Sequence, residues 1–112
     1  MPDQRADMQI VPQLSDQELL ETRVRLPQHV VHRGFVAETV VLNLRTGKYH
    51  GLNPTAGKML EALDAAPTVA DAVPLLAAEY GIEQEQIQRD LLPLARALLG
   101  RELIVAANDD TA

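Results

Sequence analysis

The alternation of apolar and polar residues is clearest in the segment 40–52. Every second residue from Val40 through Leu42 to Leu44 is apolar, and this period of two predicts a strand with one buried face. Thr46 and Gly47 follow as a turn signal, because glycine can adopt the positive φ that a tight hairpin requires. The segment 48–52 then returns as the second strand of a β-hairpin.

The length of the turn decides which residues of this hairpin face each other. A three-residue loop at 45–47 opposes Leu42 to His50 and places the apolar residues of both strands on one face. A two-residue loop at 46–47 opposes Leu42 to Gly51 and divides the apolar set between two faces. We therefore predict the three-residue loop, with Gly47 in the left-handed conformation.

Strand and helix signals flank the hairpin on both sides. The segment 30–35, which begins with Val30 and Val31 and ends with Phe35, predicts a short first strand, and this gives a three-stranded antiparallel meander with 40–44 and 48–52. Asn53 and Pro54 form a strong helix start, because asparagine accepts hydrogen bonds from free amides and proline has no amide to leave unpaired. The first helix is predicted to end near Asp64.

Two more helices follow, and the last has an unusually wide apolar face. Thr68 caps a helix that ends at Gly81, and Pro74 within it predicts a kink or a later start. The third helix runs from about Glu83 to Leu99. It carries two adjacent apolar stripes: Ile87, Leu91, Leu94 and Leu98 in one, and Leu92, Ala95 and Leu99 in the other. Together the two stripes cover a larger part of the helix circumference than a surface helix with one buried face requires.

The ends of the chain set the predicted domain limits. Residues 1–25 are predicted to be a flexible extension, with a short helix at 16–23 because Ser15 and Glu18 match the capping-box pattern. The compact domain is predicted to span residues 26–105, and residues 106–112 to form a disordered tail.

The composition excludes several classes of protein but does not by itself indicate one function. The 112 residues suit one domain, the formal charge is −6, and there is no cysteine for a disulfide or thiolate metal site. No apolar run approaches the roughly 20 residues that span a bilayer, and the first 16 residues lack a secretory signal pattern, so a cytoplasmic location is expected. The acidic balance disfavours binding to nucleic acid.

Catalytic and metal-binding patterns are missing from the sequence. Ser15 is the only serine, no glycine-rich phosphate loop occurs, and no pair of carboxylates marks a cleft. His29 and His32 have a spacing seen in metal sites, but residues three apart on a strand face opposite sides. We predict a protein that is not an enzyme and that holds no metal or cofactor.

Three segments resemble the PqqD-like domains known as RiPP recognition elements, which serve the biosynthesis of ribosomally made, modified peptides. The segments are RTGKYHGLN (45–53), NPTAGKMLEALD (53–64) and TVADAVPLLAAEYGIEQEQIQRDLLPLARALLGRELI (68–104). The resemblance covers residues 26–105 and looks closest to members from lasso-peptide pathways. The first 25 residues, Pro74 and Pro93 do not belong to the family pattern.

This resemblance implies an α+β, winged helix-turn-helix-like fold in which a three-stranded antiparallel sheet is followed by three helices. Family members bind the leader segment of a precursor peptide and present it to a separate leader protease and modifying enzyme. The leader adds an antiparallel strand to the third strand, here 48–52, and its apolar side chains enter a cleft beside the third helix, here 83–99.

The residue patterns agree with this implication at two places. An edge strand at 48–52 leaves main-chain groups open to a peptide, and the second stripe of the last helix suits the wall of an apolar cleft. The predicted peptide-binding residues are Lys48, Tyr49, His50 and Gly51 on the strand side and Gln88, Leu92, Ala95, Arg96 and Leu99 on the helix side. Substituting Leu92 or Leu99 by Asp is expected to abolish binding and leave the fold intact.

Three other functions fit parts of the same pattern. One is a PqqD-type chaperone for a radical-SAM or other modifying enzyme. The second is a winged-helix DNA-binding protein, although the last helix sets Glu83, Glu85 and Asp90 against Arg89 and Arg96, a poor match to phosphate. The third is a dimerisation module, with a homodimer paired through the edge strand.

Overall fold

The computed structural model describes residues 14–107 of the chain. The helices of this part are α1 (Asp16–Leu20), α2 (Pro54–Ala65), α3 (Val69–Tyr80) and α4 (Gln84–Gly100). The strands are β1 (Val24–Arg25), β2 (Val30–Gly34), β3 (Thr39–Asn43), β4 (Tyr49–Leu52) and β5 (Val105–Ala106). The strands β2, β3 and β4 form an antiparallel sheet in that order, and α2, α3 and α4 follow it along the chain. The predicted α+β fold is confirmed.

The register of the β3–β4 hairpin differs from the prediction. Leu42 lies opposite Tyr49, and Val41 lies opposite His50, so the connection is the four-residue loop 44–47. The predicted pairing of Leu42 with His50 is therefore wrong by one residue. The Asn43 side chain explains the longer loop, because its Oδ1 accepts hydrogen bonds from the amides of Arg45 (2.8 Å) and Thr46 (3.2 Å).

A shift of one residue exchanges the two faces of a strand. Val41 and Thr39 face the core, with relative exposures of 0% and 5%. Val40 and Leu42, predicted to be the buried residues, are half-buried on the opposite face, and Leu44 is 58% exposed in the loop. Gly47 has a φ of 79°, the left-handed conformation that was predicted.

The helix limits follow their capping residues. Asn53 Oδ1 accepts from the amide of Ala56 at 2.8 Å, with Pro54 in the first position of α2. Thr68 caps α3, and Gly81 ends it with a φ of 65°. The helix α3 begins directly after Thr68, so Pro74 does not delay its start.

Both apolar stripes of α4 are buried in the described structure. One buried cluster contains residues from α1, β1, the sheet and all three longer helices. Its members on α4 are Ile87, Leu91, Leu92, Ala95, Leu98 and Leu99, and Leu94 packs against it from its edge. The remainder of α4 is polar and predominantly exposed, with Glu85 and Asp90 balanced by Arg89 and Arg96, and it forms the solvent side of the helix.

Residues before the predicted boundary at Leu26 join this core. The capping box of α1 is present, because the Glu18 amide donates to Ser15 Oγ (3.0 Å) and the Ser15 amide donates to Glu18 Oε1 (2.9 Å). Leu19 and Val24 are 0% and 1% exposed. Strand β1 pairs with β5, so the segment predicted as the start of a tail also belongs to the fold. Residues 1–13 and 108–112 lie outside the described residues.

Candidate functional site

Strand β4 presents two residues with main-chain groups directed away from the sheet. The Asn43 amide donates to the Lys48 carbonyl at 2.9 Å, which makes these two residues a hydrogen-bonded pair. Such pairs alternate along an antiparallel ladder, so His50 and Leu52 also direct their amides and carbonyls toward β3. Tyr49 and Gly51 direct theirs toward the open side of β4.

The side chains of β4 alternate between the two faces of the sheet. His50 and Leu52 lie on the same face as buried Val41, and both are half-buried. Tyr49 lies on the other face and is 71% exposed, and on that face the Glu38 carboxylate lies next to the position that a Cβ atom of Gly51 would take. Lys48 is exposed just before the strand begins. All four strand-side candidates thus lie along one open edge.

An open groove of about 450 Å³ runs along α4 and contains part of the helix side of the predicted site. Its lining residues are Asp16, Glu85, Gln88, Arg89, Leu92, Pro93 and Arg96. Three of the predicted residues, Gln88, Leu92 and Arg96, are therefore neighbours there. Their spacing of four residues places them on one face of the helix.

The Arg96 guanidinium joins the N-terminal segment to this groove. Its Nη1 donates to the Leu14 carbonyl at 2.8 Å, and its Nη2 donates to Asp16 Oδ1 at 2.7 Å. The Arg96 side chain is 38% exposed, and the Asp16 side chain is 70% exposed. The residues at the start of α1 therefore form one side of the groove, and an exposed ion pair contributes little to overall stability.

The other helix-side candidates are core residues. Ala95 is completely buried, and Leu92 and Leu99 are 7% and 9% exposed. Burying an unpaired carboxylate at such positions is costly, so Leu92→Asp and Leu99→Asp are expected to destabilise the fold as well as the groove. These two substitutions do not separate peptide binding from folding.

Helix α2 connects the strand side of the predicted site to the helix side. It packs against β3 and β4 through one part of its surface and against α3 and α4 through another. The groove on α4 is lined by none of the strand-side candidates. The two halves are thus held by a common helix, and each has its own open surface.

Sequence reasoning missed four residues of the groove. Glu85, Arg89 and Pro93 share the face of Gln88, Leu92 and Arg96, and their helical spacing could have identified them. Asp16 carried no such signal, because its contact with Arg96 spans 80 positions in the sequence.

The described residues show no cluster of three or more His, Cys, Asp or Glu side chains that could hold a metal ion. Within the same part of the chain, no helix is long and apolar enough to cross a membrane. The groove offers two carboxylates (Asp16 and Glu85), two guanidiniums (Arg89 and Arg96), the Gln88 amide and the apolar Leu92 and Pro93, and the open strand offers main-chain donors and acceptors. These groups suit peptide binding.

Comparison with protein families identifies the fold. The sequence profile of the family described as coenzyme PQQ synthesis protein D (PqqD) matches residues 38–104. This chain belongs to the PqqD family. The matched region contains β3, β4 and the three long helices, and thus both halves of the predicted site.

Two solved structures are similar to this PqqD-family protein over most of its length. One is TbiB1 in complex with the TbiA(β) leader peptide, with 30% identity, a TM-score of 0.62, and coverage of 71% of this chain and 93% of the other. The second is a lasso peptide synthetase B1 complexed with the leader peptide, with 26% identity, a TM-score of 0.63, and coverage of 74% and 98%. Among curated proteins, none matches this chain. The predicted resemblance to PqqD-like RiPP recognition elements is confirmed.

Proposed function

We propose that this protein binds the leader segment of a ribosomally made precursor peptide and presents it to maturation enzymes. In this proposal those enzymes are the leader protease and the cyclase of a lasso-peptide-like pathway. The observation that carries the proposal is the open edge of β4, where Tyr49 and Gly51 offer main-chain donors and acceptors. The two similar solved structures, both complexes with a leader peptide, support it.

The register of β4 defines which side chains of a paired leader strand would project to each face of the sheet. Residues that lie opposite each other in an antiparallel pair project to the same face. Leader residues opposite His50 and Leu52 therefore point toward the helices, and those opposite Tyr49 and Gly51 point to the outer face. Main-chain hydrogen bonds supply affinity for any extended peptide, and the inward side chains supply selectivity.

The proposed site contains all the predicted residues, but they contribute to leader binding in different ways. Lys48, Tyr49, His50 and Gly51 form the strand that pairs with the leader. Gln88 and Arg96 are exposed or half-exposed on α4 and are available for direct contact. The buried residues Leu92, Ala95 and Leu99 form the apolar support beneath them. No residue of this site is proposed to act in chemistry.

A PqqD-type chaperone is the second candidate, and the match to the PqqD sequence profile favours it. Such a protein would use the same open strand to hold a precursor for a radical-SAM or other modifying enzyme. Comparing the binding of precursor peptides from a lasso pathway and from a PQQ pathway separates the two functions.

Proline at Gly51 tests the strand-addition mechanism. The Gly51 amide points to the open side, so Gly51→Pro removes one donor to the leader and leaves the β3–β4 ladder in place. Only the flexible Glu38 side chain would have to move to make room for a Cβ atom at this position. We expect leader affinity, measured by fluorescence polarisation, to fall about two- to tenfold, because the net contribution of one hydrogen bond is about 0.5–1.5 kcal/mol.

Gly34→Pro is the matched control, because Gly34 lies on β2 with its amide directed to the opposite open edge. It should bind leader like the wild type. Equal loss in both variants would indicate a general effect on the sheet. Unchanged binding by Gly51→Pro would contradict the proposal, and a labelled DNA duplex in the same assay tests the winged-helix alternative.

The helix side is tested by two glutamines on α4. Gln88 lines the groove, whereas exposed Gln86 lies about 200° away around the helix. Gln88→Ala should weaken leader binding several-fold, and Gln86→Ala should not change it. If the two variants bind the leader with equal affinity, the groove on α4 does not take part in leader binding.

A further inference from the structure

Helix α3 is apolar around its whole circumference, yet only one side of it is covered. Asp71 and Glu79 are its only charged residues, and a helix of this composition is normally buried on all sides. Its buried residues occupy the side that packs against α2 and α4. Pro74, Leu75 and Ala78 lie on the exposed side.

We name this exposed surface the α3 face and define it by Pro74, Leu75, Ala78 and Ile82. Leu75 and Ile82 are 55% and 43% exposed, and they are the two large apolar side chains that are exposed in the chain from α2 to α4. Ile82 stays beside the end of α3, because its amide donates to the Ala77 carbonyl at 3.1 Å. Contiguous apolar surface of this kind indicates a contact with another molecule.

Pro74 adds a main-chain acceptor to the α3 face. It lies in the interior of α3, where proline is normally excluded. Because Pro74 has no amide, the carbonyl of exposed Ala70 does not receive the hydrogen bond that a residue four positions further along a helix donates. A local choice that weakens a helix without improving its packing is typical of a functional surface.

The chain around the α3 face carries negative charge without compensation by nearby residues in the sequence. Residues 59–88 contain six of the sixteen Asp and Glu residues and none of the ten Lys and Arg residues. Lys58, directly before this segment, lies 3.8 Å from the Glu79 carboxylate. Glu83 precedes α4, is exposed and makes no capping hydrogen bond with its side chain. The border of the α3 face is therefore acidic.

From the apolar side chains, the Ala70 carbonyl and the acidic border, we propose that the α3 face docks the modifying enzyme of the pathway. The partner surface would have an apolar centre surrounded by Lys and Arg side chains. One of these cations would donate to the Ala70 carbonyl in a charge-assisted hydrogen bond. This inference rests on the proposed function, which supplies the modifying enzyme as the partner.

The position of the α3 face suits an enzyme that acts beyond the leader. Helix α2 packs against β3 and β4 and also against α3, so it lies between the leader strand and the α3 face. A leader paired with β4 would leave the α3 face open, and a protease that cuts at the end of the leader would work nearer to β4. We therefore expect the modifying enzyme to bind equally well with and without bound leader.

The acidic border disfavours the other occupants of such a face. Two copies paired through their α3 faces would bring the same carboxylates toward each other. Nucleic acid and anionic membranes would be repelled. Residues 1–13 of the chain contain two Asp and one Arg, a formal charge of −1, and so are not complementary to the border either.

Two substitutions test the α3 face. Leu75→Arg replaces an apolar side chain by a cation, and Glu83→Lys reverses a border charge. The matched controls Val105→Arg and Glu102→Lys make the same changes at exposed residues beyond the other end of α4, about 25 Å from Glu83. The full-length proteins are first compared by thermal unfolding. Each is then titrated with a fluorescent leader peptide and, with and without leader, with the purified modifying enzyme that acts on the same precursor.

Pro74→Ala separates docking from helix stability. Alanine restores an amide that can donate to the Ala70 carbonyl, so this variant should unfold at a higher temperature than the wild type. The same bond removes the acceptor from the partner, so affinity for the modifying enzyme should fall about two- to tenfold. A purely structural role of Pro74 would not lower affinity while stability rises.

Support would be at least a tenfold loss of enzyme affinity for Leu75→Arg and Glu83→Lys, with leader affinity unchanged and both controls like the wild type. Wild-type enzyme binding by Leu75→Arg would overturn the inference, and so would a dimer that this variant dissociates. A wild type that binds leader but not the modifying enzyme would also overturn it. Failure of the wild type to bind leader would instead contradict the proposed function, and the titration without leader would still decide whether the α3 face docks the enzyme.

Discussion

At the scale of single residues, Gly57 determines how closely the helices approach the sheet. A Cβ atom at this position of α2 would lie 2.7 Å from the Cβ of Thr39 on β3 and would also overlap the Thr39 hydroxyl oxygen. We predict that Gly57→Ala lowers the free energy of unfolding by about 1–3 kcal/mol, the usual cost of overpacking. Chemical denaturation with urea measures this change.

Gly100→Ala is the control for the helix propensity of alanine. Gly100 ends α4, and no atom lies within 4 Å of a Cβ built there. This variant should be as stable as the wild type or up to about 1 kcal/mol more stable. A Gly57→Ala protein that gains stability in the same way would show that α2 and β3 can separate without cost.

At the scale of elements, the sequence predicted which elements form better than how they pair. Alternating residues and the Gly47 turn signal were sufficient for two strands and a left-handed glycine. These signals were insufficient to predict the register. Apolar residues occupy both faces of β3, and the pattern alone favours burial of the face that is outside the core. The deciding interaction is a side-chain bond to the main chain at Asn43, which apolar periodicity does not report.

Removing the Asn43 side chain should destabilise the hairpin. In Asn43→Ala the amides of Arg45 and Thr46 lose their acceptor, and we expect a loss of about 1 kcal/mol in the free energy of unfolding. Asn43→Asp keeps an oxygen in the same place and should recover most of this loss. Thermal unfolding compares the stability of the three proteins. If Asn43→Ala is as stable as the wild type, the loop conformation does not depend on the hydrogen bonds of the Asn43 side chain.

At the scale of the whole molecule, contacts between distant parts of the chain limited the prediction. The three helices were predictable from their caps and stripes, and the position of β4 at the edge of the sheet was predictable from the order of the strands. The joining of residues 14–25 to the core was not, because α1 has five residues and its periodicity is too short to reveal a buried face. Its partners, α3 and α4, lie at the other end of the sequence.

The docking of α1 gives the last prediction. Leu19 is completely buried among residues of the helical core, so Leu19→Ala should lower the free energy of unfolding by about 2–5 kcal/mol through lost burial and a cavity. Leu75→Ala removes the same atoms from a side chain that is 55% exposed and should change stability by less than about 0.5 kcal/mol. Urea denaturation of the full chain compares them. If both variants lose similarly little stability, α1 can detach from the core at little cost. The expected difference would instead show that α1, which forms one side of the groove on α4, is an integral part of the fold.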